Sequence, residues 1–309
     1  RQFLPIDPPL PELATVGGAV AAGLNGFRRA FYGGIRDRVL GMKMVLAGGG
    51  RIKAGGKVMK NVAGYDMCKL FAGSLGTLGI ISEITFKLAP RPEREASLVA
   101  RGGLADVCRL AGKIRESKCV PAAMVIAAGG AISAEPGFFI ALGAEGFDEA
   151  VSRHLRDARE MATKAALECE VLDGIAHDRF WEKVRDFGAS GKKILYRVTV
   201  PIAGINGVVE ATASWNGPAG GVRVVADAAA GSIYLALEAT DEGAAWFPKL
   251  CALAGKGGGH AVMVASPARF KKGLDVWGAP PPGLEIMREI KRRLDPGNML
   301  SPGRFVTGL

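Results

Sequence analysis

Gly73, Gly76 and Gly79 recur at every third residue just ahead of the alternating run Glu83-Ile84-Thr85-Phe86-Lys87-Leu88, a spacing that suits backbone chemistry. Glycine takes positive φ without strain and lets peptide amides close on a phosphate or the edge of a ring. Glycines this frequent work against a stable helix, and they are too regular for a linker. A tightly packed turn would use the same residues, so spacing alone leaves both uses open. A second run of small residues, Ala14 to Gly26, contains Gly17-Gly18 and opens a short Ala-rich helix. The first amides of a helix lack intrahelical partners and carry the positive end of its dipole, which suits an anion. Neither run has G-x-G-x-x-G spacing, and Gly56-Lys57 is followed by Val58 where a P-loop requires Ser or Thr, so Rossmann and P-loop sites are disfavoured.

Side chains able to move protons are few. The chain has three histidines. His154 lies in the charged stretch Arg153 to Arg156 and His177 precedes a helix expected over Asp178 to Phe187, so both are expected to be solvated or capping residues. His260 follows Gly257-Gly258-Gly259 and opens a strand, where its ring could serve either as an acid–base group or as a hydrogen-bonded structural residue. Arg197, alone among Ile194, Leu195, Tyr196 and Val198, could clamp a carboxylate or pair with an acidic neighbour. The five cysteines are scattered without a C-x-x-C pair, which argues against zinc, an iron–sulfur cluster and a disulfide framework. No metal site is expected, and the cysteine usage fits a reducing cytoplasm.

The elements that must position these groups follow from periodicity. Ile84, Phe86 and Leu88 alternate with Glu83, Thr85 and Lys87, a strand with one buried face that Pro90 and Pro92 end. Val39 to Leu46 and Arg51 to Ala54 form a hairpin turned by Gly48-Gly49-Gly50. From about Ala96 the pattern shifts to strands alternating with amphipathic helices. Val107, Leu110, Ala111 and Ile114 mark one apolar helical face, and Phe147, Val151, Leu155, Ala158 and Ala162 a longer one. Strands are predicted over 124–127, 138–142, 194–200, 222–226, 233–238 and 262–265. This reads as an α+β domain, an antiparallel sheet with helices on one face and no internal repeat. Pro280-Pro281-Pro282-Gly283 leads into a last helix, Leu284 to Leu294, stopped by Asp295-Pro296-Gly297.

A chain of 309 residues with 49% hydrophobic content suits one large or two ordinary globular domains. The net charge of +10 raises nucleic acid as a partner, but the basic pairs, Lys192-Lys193, Lys271-Lys272 and Arg292-Arg293, are dispersed without interleaved aromatics, so nucleic acid is not expected. No stretch reaches the roughly 18 apolar residues of a membrane span.

Together, Thr15 to Gly26, Arg36 to Gly41, Val58-Met59-Lys60-Asn61-Val62-Ala63-Gly64-Tyr65-Asp66, Gly73-Ser74-Leu75-Gly76-Thr77-Leu78-Gly79 and Leu294-Asp295-Pro296 with Ser301-Pro302-Gly303-Arg304 carry a family signature. The chain resembles the flavoproteins that include vanillyl-alcohol oxidase and p-cresol methylhydroxylase, most closely the FAD-binding subunits of bacterial glycolate oxidases (glycolate dehydrogenases). The resemblance implies the second lobe of a PCMH-type FAD-binding domain over residues 1–94. It further implies an α+β cap over 95–279 and a helix and tail, 280–309, returning to the FAD domain. By the same resemblance Thr15, Gly17, Gly18, Gly23 and Asn25 line the FAD pyrophosphate and ribityl chain, and Gly76, Gly79 and Ile81 offer backbone contacts towards the adenosine. Asn61, Gly64 and Thr77 are further cofactor candidates. Ser301 stands where relatives often place Asn.

The family has a further lobe ahead of the first of these segments. Only Gln2 to Leu13 precede the diglycine run here, so either the polypeptide is a truncated form of a longer one, the favoured expectation, or the lobe is supplied by another chain. The catalytic subunit of such a complex carries a His-x-His metal motif, which this sequence lacks. The resemblance therefore implies an electron-relay or assembly subunit partnered by a catalytic flavin subunit and an iron–sulfur subunit. The complex would oxidise a small 2-hydroxy acid such as glycolate or D-lactate, in the cytoplasm or peripherally on the inner membrane face. Two alternatives stand beside it, a self-sufficient FAD-dependent glycolate or D-lactate dehydrogenase and a flavin-free structural subunit. His260 and Arg197 are the candidate catalytic residues.

Overall fold

The computed structural model describes residues 1–59, 64–128, 130–132, 137–189, 193–215 and 221–309. The chain divides into two compact units, Arg1–Pro90 with Ala279–Leu309 and Arg91–Gly278.

In the first unit the chain runs through β1 (Gln2–Phe3), α1 (Val16–Ala22), α2 (Arg29–Tyr32), α3 (Ile35–Arg38), β2 (Val39–Val45), β3 (Arg51–Gly55), α4 (Met67–Phe71), β4 (Ile80–Phe86) and β5 (Ala89–Pro90), and ends with the helix Leu284–Leu294. β2 lies between β3 and β4 in an antiparallel sheet, while β1 pairs separately with β5. The Gly48–Gly50 turn closes the hairpin as expected, with Leu46 N donating to Gly50 O at 2.9 Å and Gly49 at φ +79. Val20, Met44 and Phe71 form the centre of this unit's apolar core, onto which Ile290 and Leu294 of the final helix pack. β4 differs from expectation. It starts at Ile80 and stops at Phe86, so Leu88, expected on its buried face, lies beyond the strand and is exposed.

The second unit runs β6 (Arg94–Gly102), α5 (Leu104–Glu116), β7 (Ala123–Ala128), β8 (Phe138–Gly146), α6 (Asp148–Lys164) and β9 (Glu168–Asp173). After α7 (Gly174–Arg185) come β10 (Lys193–Thr199), α8 (Ile205–Ser214), β11 (Arg223–Asp227), β12 (Ser232–Glu238), α9 (Asp241–Ala244), α10 (Trp246–Lys256) and β13 (His260–Ala265). The described strands form one antiparallel sheet ordered β13-β10-β12-β11-β7-β8-β6-β9. Each half of that order is the same split β-α-β arrangement, with the fourth strand beside the first and the third beside the second. The sequence shows no repeat because packing constrains only the pattern of apolar positions, which many different residues satisfy.

Helix α5 buries Val107, Leu110, Ala111 and Ile114, and α6 buries Val151, Leu155, Ala158 and Ala162, the faces read from the sequence. Phe147 is exposed instead, because it is the N-cap and lies outside the helical stripe. β6 buries Ala96 to Ala100 without alternation. The helices α5 and α6 cover one of its faces, whereas α7 covers the other, where a Cβ on Gly143 would meet Trp181 at 2.9 Å.

Candidate functional site

The two glycine runs meet at the C-terminal end of α1. Gly73 N donates to Val20 O at 2.9 Å, an oxygen that Gly23 N also reaches at 3.1 Å, and Leu75 N donates to Ala21 O at 2.7 Å, so the loop's amides bond to carbonyls at the end of α1. Gly23 caps the helix in the left-handed region, φ +64, and a Cβ there would lie 2.9 Å from Gly73 Cα. Backbone therefore packs directly on backbone, and this is why glycine stands at both positions. Asn25 is also spent internally. Its Oδ1 accepts from Ile35 N at 2.7 Å and its Nδ2 donates to Gly23 O at 3.0 Å.

The remaining loop candidates divide by what surrounds them. Thr77 is buried, with Oγ1 donating to Ser74 O at 2.7 Å. A Cβ on Gly79 would meet Phe71 at 2.7 Å, and Ile81 packs on the unit's apolar core opposite Met44. Gly76, φ +73, faces Ser301 Oγ at 3.4 Å from its Cβ position. Ser301 itself has φ 45, a left-handed conformation that Asn tolerates better than most residues.

Thr15, Gly17, Gly18 and Gly64 are the candidates left facing outward or with room. Thr15 is the N-cap of α1 and its Oγ1 accepts from Gly18 N at 3.1 Å, so the cap itself excludes a side chain at Gly18. Among the described residues nothing lies within 4 Å of a Cβ placed on Gly17 or on Gly64, whose φ is +75. The amides of Val16 and Gly17 head the helix without intrahelical acceptors. Beside Gly64, Tyr65 is 95% exposed, and Leu13, Val16, Val58 and Met59 are exposed in the same segments. Asn61 lies outside the described residues. The open positions are thus Thr15, Gly17 and Gly64, whereas Gly23, Asn25, Thr77 and Gly79 are taken up by contacts within the protein.

Sequence reasoning missed a cavity of about 440 Å³ in the same unit, lined among others by Arg36, Lys69, Gly73, Thr77, Ile290 and Lys291. Lys291 in its lining is held in a buried ion pair, Nζ to Asp295 Oδ2 at 2.6 Å. The i,i+4 spacing of Lys291 and Asp295 ahead of Pro296 was the available signal.

In the second unit Arg197 and His260 come together. β10 and β13 pair with Arg197 opposite Val262 and Thr199 opposite His260, which puts Arg197 and His260 on one face as diagonal neighbours. Among the described residues Arg197 Nε is buried without a hydrogen-bond partner. Burial, followed by the nearby Arg197 charge, holds the His260 imidazole below its usual pKa and so favours its neutral, basic form. A fixed cation can orient a carboxylate, while a neutral imidazole beside it can accept a proton from a neighbouring hydroxyl.

The other two histidines depart from expectation. His154 is buried in α6, where desolvation, reinforced by Arg153, lowers its pKa. His177 lies inside α7, which starts at Gly174 behind an Asp173 cap, and is only 2% exposed. Their charged sequence neighbours face solvent, and the 3.6-residue period turns the imidazoles inward.

Residues 1–55 match the model of the FAD binding domain family. Glycolate oxidase subunit GlcE of Escherichia coli (strain K12) is 50% identical over 98 residues, 31% of this chain and 28% of that protein. Glycolate oxidase subunit GlcD of Bacillus subtilis (strain 168) is 47% identical over 98 residues, 32% of this chain and 21% of the relative. An uncharacterized FAD-linked oxidoreductase of Mycobacterium tuberculosis (strain H37Rv) is 26% identical over 323 residues, spanning 94% of this chain and 69% of that one. Among solved structures, an alkyldihydroxyacetonephosphate synthase superposes with TM-score 0.67 at 18% identity, over 98% of this chain and 61% of its own. A VAO-type flavoprotein from Myceliophthora thermophila C1 gives TM-score 0.63 at 14% identity, over 96% and 61%. The α+β fold read from the sequence is the fold of these flavoproteins.

Proposed function

We propose that this chain, whose residues 1–55 match the FAD binding domain family and whose fold is that of VAO-type flavoproteins, is the FAD-binding subunit of a glycolate oxidase complex. In that role it takes part in oxidising a 2-hydroxy acid to the 2-oxo acid, with electrons leaving through an iron–sulfur subunit. The half-identical stretch shared with a glycolate oxidase subunit carries the reading. When bound, FAD supplies the two-electron acceptor. Thr15, Gly17 and Gly64 would hold it, because there the backbone is open. The exposed apolar residues Leu13, Val16, Val58, Met59 and Tyr65 supply surface for a partner or for the remainder of an FAD domain. The chain spans 28% and 21% of the two glycolate oxidase relatives, so the activity of the whole assembly is part of this proposal. We also propose peripheral work at the inner membrane face, which the excess positive charge favours. Among the described residues no helix is long and apolar enough to cross a membrane.

The Arg197–His260 arrangement favours a second reading, a self-sufficient dehydrogenase. Arg197 would bind the substrate carboxylate and an imidazole nitrogen of His260 would take the hydroxyl proton. Co-expression with candidate subunits, followed by flavin absorbance and glycolate-dependent dye reduction, separates the two. The subunit reading requires flavin on this chain and glycolate turnover only in the complex. Turnover by this chain alone, abolished by Arg197→Gln, would establish the second, and a colourless chain in a working complex would remove both.

A further inference from the structure

On α7 the His177 ring is held from one side and open on the other. Its Nδ1 lies 2.9 Å from Ser97 Oγ, which also accepts the Trp181 Nε1–H bond at 2.8 Å. A hydroxyl oxygen has two lone pairs, so Ser97 can accept from Nδ1–H as well as from Trp181, leaving the Nε2 lone pair free. Among the described residues Nε2 is buried without a hydrogen-bond partner, and it faces Glu95 Oε2 at 3.8 Å. One ligand atom each from Glu95, His177 and Asp178 lies within 4.8 Å of the others.

We propose that Glu95, His177 and Asp178 form a binding site for a divalent transition cation of the zinc class, independent of any flavin chemistry. Two donors that each sit about 2.1 Å from a shared zinc ion lie at most about 4.2 Å apart. The 3.8 Å separation of Nε2 and Oε2 already meets that limit, and the exposed Asp178 side chain can rotate to close the remainder. An imidazole with two carboxylates is a donor set of borderline softness, suited to zinc more than to calcium or magnesium. Ser97 supplies the outer hydrogen bond that fixes the tautomer of a ligating histidine. With three protein donors, a further coordination position stays open to water or to a small anionic ligand.

The test uses the full chain, stripped with EDTA and titrated with zinc chloride by calorimetry while its melting temperature is followed. One zinc per chain and a raised melting temperature are expected. The double variant Glu95→Gln/Asp178→Asn alters only partly exposed side chains, and it should weaken zinc binding by about tenfold or more and remove the thermal shift. His177→Gln should do the same. Equal zinc affinity in the wild type and the double variant would overturn the proposal by placing the ion elsewhere. A chain that takes up no zinc would overturn it too, reducing the cluster to a contact between His177 and Glu95.

Discussion

Lys291 Nζ and Asp295 Oδ2 lie 2.6 Å apart, one helical turn from each other, with side chains only 7% and 0% exposed. The same ammonium donates to Thr77 O and to Leu300 O, both at 2.9 Å, so its three protons are all used. Asp295 in turn accepts from Met299 N at 3.0 Å and Leu300 N at 2.8 Å. Two side chains thereby fasten the glycine loop, the final helix and the tail to one another.

Removing either charge should be costly. Lys291→Met leaves a carboxylate buried without its cation, and the expected loss is about 3–5 kcal/mol, read from urea unfolding of the full chain. The double variant Lys291→Met/Asp295→Leu should recover much of it, since an apolar pair leaves no stranded charge. A single variant as stable as wild type would show that the network is not structural.

Acid should act on this network in a definite window. Burial pushes the Asp295 carboxyl up, but the hydrogen bonds from Lys291, Leu300 N and Met299 N outweigh it and hold it below the usual range. A carboxyl lowered on folding contributes stability above its unfolded value of about 3.9, and that contribution is lost as pH falls through the folded value. Asp295→Asn should therefore flatten the acid limb of the stability profile below about pH 4.

The histidines should produce a separate shoulder. His154 and His260 are both held below their usual pKa, so the unfolded chain binds more protons and stability falls as pH drops below about 6.5. His154→Asn should remove part of that shoulder. Arg197→Gln should move the His260 titration upward by NMR, because a nearby positive charge is lost.

Gly17 and Gly23 should respond in opposite ways. At Gly17 there is open space, and Ala there should stabilise α1 by up to about 1 kcal/mol. At Gly23, φ is +64 and Gly73 Cα blocks the Cβ, so Ala should cost about 1–2 kcal/mol for the left-handed backbone alone. Gly17→Leu should keep the melting temperature but reduce retained flavin. Undiminished flavin would remove Gly17 from the site. Gly79→Leu is a poor probe, since it collides with Phe71 and disturbs the fold first.

Ser97→Ala should destabilise the second unit by about 1–3 kcal/mol, because Trp181 Nε1–H and His177 Nδ1 both lose their partner in a buried setting. Trp181 fluorescence during chemical unfolding reports it. No change in midpoint would mean that water replaces the hydroxyl.

Much of this architecture was legible because periodicity survives in single sequences. The apolar stripes of α5 and α6 and strands β7, β8, β10, β11, β12 and β13 were all visible as patterns. β6 was not, because helices cover both of its faces and its central residues read as a plain apolar run that alternation cannot detect. β9 was missed for the converse reason, as an edge strand whose charged residues stay exposed. At the candidate site the sequence located the glycines but could not say which are filled. Gly17 and Gly79 look alike until Phe71 is placed against the second. The Arg197–His260 proximity and the burial of His177 depend on strand register and helix phase, which only the folded chain sets.

The doubled strand order of the second unit has a mechanical corollary. The unit is a covalently linked dimer of half-sheets whose seam is β7 against β11, joined through Val125, Ile126 and Ala127 facing Asp227, Ala226 and Val225. Either half expressed by itself would present a naked apolar rim of unpaired amides, and such rims recruit another chain. Self-association of an isolated half, and its suppression when the complementary half is supplied in trans, would be the outward sign of that seam.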